Sequence, residues 1–155
     1  MEKIIMNIRV EFTENNEKEI VIRCKEEDEE VRQIKSLLEF QYQKLTGVCD
    51  NQTYLFRPSD VYYFECVDNK VFAYLRQRVC NVSYSLEKLE KLLEYKGFFR
   101  CSKAMILNMN DIETFQSAMG NRMTATLENG EVVVISRHYA KMLRAYLKEG
   151  KADEQ

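Results

Sequence analysis

Four short runs of aromatic and β-branched residues, TYLFR, VYYFECV, KVFAYLR and VCNVS, follow one another between Thr53 and Ser83. Only the polar breaks Pro58-Ser59-Asp60, Asp68-Asn69 and Gln77-Arg78 separate them. Runs of this length between turn signals read as strands. Further on, Met123-Thr124-Ala125-Thr126-Leu127 alternates cleanly, Glu128-Asn129-Gly130 supplies a hairpin turn, and EVVVI follows. The chain has no strand–helix alternation with a glycine-rich phosphate loop: GxGxxG, GKS and GKT are all absent. This argues against nucleotide-binding α/β folds. The predicted class is mostly β with short helices (α+β).

Three helices are expected around these strands. Residues 27–45 have an acidic first turn, suited to the positive end of a helix dipole. Val31, Ile34, Leu37, Leu38 and Leu45 recur there at helical spacing, and Gly47 stands just past the expected end. Ser85 can cap a second helix with Leu86, Leu89, Leu92 and Leu93 on one face, and Gly97 is its expected terminating glycine. Ser136 can cap a third, carrying Tyr139, Met142, Leu143, Tyr146 and Leu147, with Gly150 as its end. Ahead of the first helix, residues 3–24 read as two strands, IIMNIRVEF and KEIVIRCK. The expected organisation is a strand-strand-helix extension over 1–45, a β domain over 46–150, and a tail over 151–155.

Composition removes several function classes. With 45% apolar and 31% charged residues the chain is that of an ordinary globular protein. It has no apolar run near the roughly 18–20 residues of a membrane span. Its first residues lack the pattern of a signal peptide, so a cytoplasmic location is expected. The five cysteines, Cys24, Cys49, Cys66, Cys80 and Cys101, form no CxxC pair, and His138 is the single histidine. No zinc site, no other cofactor and no acid–base catalytic set is expected, and hence no enzyme and no small-molecule substrate. Glu65 is a lone carboxylate in a strand. The net charge of −2 is unevenly spread: residues 1–45 carry 8 basic and 11 acidic side chains, and residues 46–150 carry 14 and 12.

Several basic or amide side chains fall at strand ends and turns. Asn69 and Lys70 follow VYYFECV, and Arg100, Ser102 and Lys103 interrupt FFRCSKAMILNMNDI. Asn121 and Arg122 follow Gly120, and Arg137 opens the last helix. Loops on a β scaffold are a usual place for binding residues, and Arg, Lys and Asn suit phosphates and base edges. Solvated turns carry the same residues, and Arg100 could instead pair with Asp111. Asn108 reads as a turn or backbone-capping residue. Tyr62, Tyr63, Phe64 and Phe72 read as core rather than as a platform for stacking bases.

Four pieces in order, VYYFECVDNKVFAYL, SLEKLEKLL, FFRCSKAMILNMNDI and MTATLENGEVVVISRHYAKML, resemble the LytTR family of bacterial DNA-binding domains over about two-thirds of the chain, from about Thr46 to Lys148. The resemblance implies an elongated, mostly β fold whose inter-strand loops, rather than a recognition helix, enter DNA grooves. It implies that Asn69 with Lys70, Ser102 with Lys103, and Arg137 form three reading loops, and that Arg100 supports a loop or touches phosphate. Ser102 and Ala104 depart from the His and Ser of many members. Better-known members carry a receiver domain of about 120 residues, for which the stretch before Thr46 is too short. The resemblance is therefore to the stand-alone, response-regulator-like type. Relatives of that type often act with a membrane protein encoded beside them.

The leading expectation is a transcriptional regulator that binds double-stranded promoter DNA as a homodimer on repeated half-sites. Its DNA-binding residues would be Asn69, Lys70, Arg100, Ser102, Lys103, Asn121, Arg122 and Arg137. The alternative is a regulatory protein–protein interaction module that has lost DNA binding. The acidic extension is expected to serve assembly rather than DNA contact.

Overall fold

The computed structural model describes residues 6–94 and 96–153. Among the described residues, ten strands form two antiparallel sheets. The larger has the order β2 (Gln52–Phe56), β1 (Leu45–Cys49), β5 (Val79–Val82), β4 (Lys70–Leu75), β3 (Val61–Val67), β7 (Met105–Asn108), β6 (Phe98–Ser102). The smaller has the order β10 (Val132–Ile135), β9 (Met123–Leu127), β8 (Ile112–Ser117). The turns explain the pairing. Asp50-Asn51 and Asp68-Asn69 both have two consecutive positive φ angles, 50° and 63°, then 51° and 63°. That is the backbone of a two-residue hairpin turn whose twist matches the strands it joins.

The larger sheet is covered on one side along its length and on both sides around β3, β7 and β6. Phe64, Ala73, Ile106 and Leu45 face helix α2 (Leu86–Leu92) through Leu86, Leu89 and Leu93. Tyr63, Leu107 and Cys101 face the smaller sheet, meeting Ala125, Leu127, Val133 and Ile135, and helix α3 (Arg137–Asp153) through Ala140 and Leu143. The α2 cap is as the sequence predicts: Ser85 Oγ accepts from Lys88 N at 3.1 Å.

Four expectations are corrected. The strands expected within residues 3–24 do not form: residues 6–28 carry no strand, and residues 3–5 lie outside the described residues. The alternating apolar side chains are there, but no ladder partner is. Ile8 and Phe12 are accordingly 95% and 96% exposed. The helix expected over 27–45 is shorter. Helix α1 spans Glu29–Tyr42, capped by Asp28, whose Oδ1 accepts from Val31 N at 2.9 Å. Leu45 and Gly47 belong to β1 instead, where the buried–exposed alternation of a strand takes over. Gly97, with φ +82°, does not end α2, which has already stopped; it precedes β6, and its carbonyl accepts from Met109 N at 2.8 Å. Gly150 does not end α3, which runs on to Asp153.

Gly47 is needed for close packing. A Cβ there would stand 2.8 Å from Cys80 Cβ and 3.2 Å from both Phe56 and Val82 side chains. A Cβ has no rotamer by which to escape. Gly47→Ala is therefore expected to destabilise the fold by about 1–3 kcal/mol, read as a lower urea midpoint. An unchanged midpoint would show that β1 and β5 can separate without cost.

Candidate nucleic-acid interface

The strand register places four connections at one end of the molecule. The β3–β4 turn, Asp68-Asn69, follows the end of β3, which pairs with the start of β7 through Glu65 and Met105. The β6–β7 turn, Lys103-Ala104, lies at that same start of β7. Cys66 N donates to Ala104 O at 2.7 Å and joins these two turns. Next, Ser136 N donates to Cys101 O at 2.9 Å, which brings the β10–α3 junction alongside the end of β6. Last, Arg137 Nε donates to Gly120 O at 2.9 Å and ties that junction to the β8–β9 loop. At about 4.8 Å per neighbouring strand, the contour of this row is on the order of 25–30 Å.

The side chains expected from the sequence are placed as follows. Asn69 sits in the left-handed region with φ 63°, Lys70 opens β4, and both are exposed. Lys103 is exposed at the β6–β7 turn, while Ser102 is half-buried and its Oγ accepts from Ala104 N at 3.2 Å. Asn121, with φ 60°, and Arg122 are exposed on the β8–β9 loop, and Arg137 is exposed at the start of α3. The row thus brings together Asn69, Lys70, Lys103, Asn121, Arg122 and Arg137. Among the described residues, Arg137 is the one of these cations that uses its charged group on a contact within the chain, and it commits one N–H. No ion pair to Lys70, Lys103, Arg122 or Arg137 occurs among the described residues. Asp68 is the acidic member of the row.

Arg100 stands apart from the others. Its side chain is 15% exposed, and Nη1 pairs with Glu90 at 2.9 Å. Nε donates to Ser102 O at 2.9 Å, and Nη2 donates to Lys103 O. The guanidinium is used to shape the β6–β7 turn from below, where a register shift between Arg100 and Ser102 interrupts the ladder. Its proposed partner Asp111 is taken by Arg76, at 2.6 Å. Arg144 was not read from the sequence: Nη1 donates to Asn121 O at 3.3 Å and Nη2 to Arg122 O at 3.2 Å, so it fixes the β8–β9 loop. Its place about two α-helical turns beyond the start of α3, on the same face as Arg137, was the available signal.

Asn108 is a structural residue as read. It is buried, donates from Nδ2 to Val61 O at 3.0 Å, and accepts from Asn110 N at 3.0 Å. Tyr63 and Phe64 are core, as expected. Glu65 accepts from Tyr74 at 3.0 Å and Tyr63 donates to Glu131 at 2.6 Å, across to the β9–β10 turn. Burial first, then the bond to Glu131, raises the Tyr63 hydroxyl far above its usual range, which keeps it a donor. Among the described residues no cluster of three or more His, Cys, Asp and Glu could hold a metal, and His138 packs edge-on against Tyr139.

The LytTr DNA-binding domain family matches residues 51–148. The chain belongs to the LytTR family. It is 26% identical over 98 residues to the sensory transduction protein LytT of Enterococcus faecalis, a match that covers 63% of this chain and 40% of that protein. The LytT of Bacillus cereus is 29% identical over 105 residues, covering 68% and 43%. The chain thus spans about two-fifths of the length of these curated relatives. Among solved structures, a response-regulator LytTr DNA-binding domain from Bacillus cereus superposes with a TM-score of 0.64 at 28% identity, over 67% of this chain and 95% of that one. The mostly β architecture of two antiparallel sheets is the fold of this family. No helix among the described residues is long and apolar enough to cross a membrane.

The cysteines bear on handling the protein rather than on its site. Cys80 and Cys101 are buried, and burial pushes the Cys101 thiol up to about 12, so almost no thiolate forms near neutrality. Cys24 is exposed. Ellman's reagent is expected to titrate Cys24 at once under mildly alkaline conditions, and Cys80 and Cys101 only after denaturant is added. Fast reaction of Cys101 in the native protein would contradict the packing of β6 against α3.

Proposed function

We propose that this chain is a transcriptional regulator that reads promoter repeats with the row of inter-strand loops. The observation that carries this reading is the fastening of four connections along one end by three hydrogen bonds, which preorganises Asn69, Lys70, Lys103, Asn121, Arg122 and Arg137. A preorganised row gives up little side-chain and loop freedom on binding. Its contour is close to one turn of duplex, about 34 Å, so its tips can enter successive grooves. The unpaired cations supply salt-dependent affinity through phosphates, and the amide and basic tips supply base preference.

Arg137→Ala and Lys103→Ala should each weaken binding to a selected duplex by about 1–3 kcal/mol, or roughly ten- to 150-fold. Neither should unfold the domain, since both side chains are exposed, Lys103 in a turn and Arg137 at the first position of α3. Selection from a pool of genomic fragments, followed by gel shifts and thermal melts, checks this. Unchanged affinity in both variants, or no enriched sequence for the unaltered chain, would sink the reading. The second result would favour the interaction-module alternative.

The segment ahead of α1 is read as the dimer element. Met6, Ile8, Val10 and Phe12 alternate at strand spacing and are exposed, and isolated strands are not stable without a partner. A paired protein matches a doubled half-site. The cut that tests this must fall before Asp28, because Asp28 caps α1 and Leu45 is core. Removing residues 1–27 should yield a monomer that keeps affinity for one half-site and loses the gain from a second. A truncated chain that remains dimeric in light scattering would reject the assignment. A collapse of half-site affinity with the fold intact would place the segment on DNA.

A further inference from the structure

The third helix carries a charge pattern that the loop reading does not use. Arg137, Lys141, Arg144 and Lys148 follow one another at intervals of four, three and four residues. At about 100° per residue they fall within roughly 60° of arc, in a ridge about 16 Å long. Arg137, Lys141 and Lys148 are exposed and Arg144 is half-buried. The ridge starts inside the row of loops and is bound to it: Arg137 and Arg144 hold Gly120, Asn121 and Arg122 by their carbonyls. The buried face of the helix, Ala140 and Leu143, lies to one side of the ridge. The far flank carries the exposed apolar Met142 and Tyr146.

An ordinary solvated helix face interleaves acids with its bases, as α1 does where Arg32 meets Glu29 at 3.4 Å. Along this ridge no Asp or Glu stands three or four residues before or after any member. Like charges therefore stack one turn apart, which weakens an isolated helix. An anion lying along the ridge would offset that repulsion. A polyanion with a charge about every 3.4 Å along one strand places some five phosphates beside 16 Å of helix.

We infer that the Arg137–Lys148 ridge of α3 is a second, sequence-independent contact that tracks the phosphate backbone of the DNA beyond the base-reading loops. Lys141 and Lys148 touch phosphate directly. Arg144 acts chiefly by positioning the β8–β9 loop. The inference rests on the DNA-binding reading above, and it assigns affinity and footprint, not base preference, to the helix.

The test is the full chain carrying Lys141→Gln and Lys148→Gln, both exposed positions at which Gln keeps helix propensity. Binding is followed by fluorescence anisotropy on a random-sequence duplex of about 30 base pairs, nearly three helical turns, and on the selected duplex. Salt is varied, and circular dichroism verifies the helix content. Losing two phosphate contacts should lower the slope of log affinity against log salt by about 1.8 on both duplexes. Binding should weaken roughly ten-fold on each, which leaves the ratio between them unchanged. The charge-matched control is Lys88→Gln with Lys91→Gln on α2, which leads into the opposite end of β6; it should keep the original slope. An unchanged slope for the α3 variant, with salt-dependent binding by the unaltered chain, overturns the ridge and leaves the loop reading standing. So does an equal drop in the control, which would mean that net charge alone acts. If the unaltered chain binds neither duplex, the reading beneath fails and the ridge falls with it.

Discussion

Tyr63 and Phe64 are adjacent in β3 and lie in different cores. Phe64 packs toward α2, and Tyr63 packs toward the smaller sheet and α3. The neighbouring strand repeats the arrangement with Ile106 and Leu107. Strands buried on both faces need near-continuous apolar sequence, and VYYF and MIL supply it. Given that, α2 must cover one side, and β8–β10 with α3 must cover the other. The placement of the loop end follows from this requirement. Once the smaller sheet is pressed onto Tyr63, Leu107 and Cys101, the end of β10 comes to rest against the end of β6. The Ser136–Cys101 bond records that contact. The core thus brings the loops to one end, and the bonds between them fasten the row.

The polar groups held inside the molecule serve the same layering. Tyr63 and Tyr74 stack at 4.3 Å, and their hydroxyls end on Glu131 and Glu65. Asp111 is buried beside Arg76, whose guanidinium lies 4.1 Å over the Tyr62 ring. Each arrangement links the larger sheet to a connection of the smaller one. A hydrophobic contact in these places could slide, whereas a directed bond fixes one register at a cost in desolvation. Arg100 applies the same logic at the loop end, where one guanidinium holds two carbonyls of the β6–β7 turn and is itself held by Glu90.

Local chemistry was legible in the sequence where local chemistry decides. Asp68-Asn69 and Glu128-Asn129-Gly130 gave their hairpins, and Ser85 gave its cap, because turn and cap geometry depend on a few adjacent residues. Readings failed where a distant residue decides. Gly47 resembled a helix stop, but its lack of a side chain answers to Cys80. Gly97 resembled another, but α2 had already ended. Residues 6–24 have the period of strands, and period says which face a strand would present, not whether a partner exists. The choice of Glu90 over Asp111 for Arg100 depends on the crossing of α2 over β6. Likewise, Asn69, Lys103, Arg122 and Arg137 could be picked out as turn residues. Their assembly into one row could not, because it rests on three bonds between separate elements.

A net charge of −2 describes this molecule poorly, because charge acts through distance. Helix α1, with its acidic first turn, touches the rest of the chain where Ser36 Oγ donates to Glu94 O at 3.4 Å. That point lies just before β6, and the turn bearing Lys103 lies just after it. The five residues of β6, about 16 Å of strand, separate the two. The screening length at physiological salt is about 8 Å. Fields from the acids beyond α1's contact point are thus largely damped before they reach the loops. A phosphate approaching the loop end meets Lys70, Lys103, Arg122 and Arg137 with Asp68 as the nearby acid. The acids are also partly neutralised where they stand, by Arg32 and Lys35. The same separation lets one chain carry an acidic, apolar-edged extension and a basic loop end without either cancelling the other.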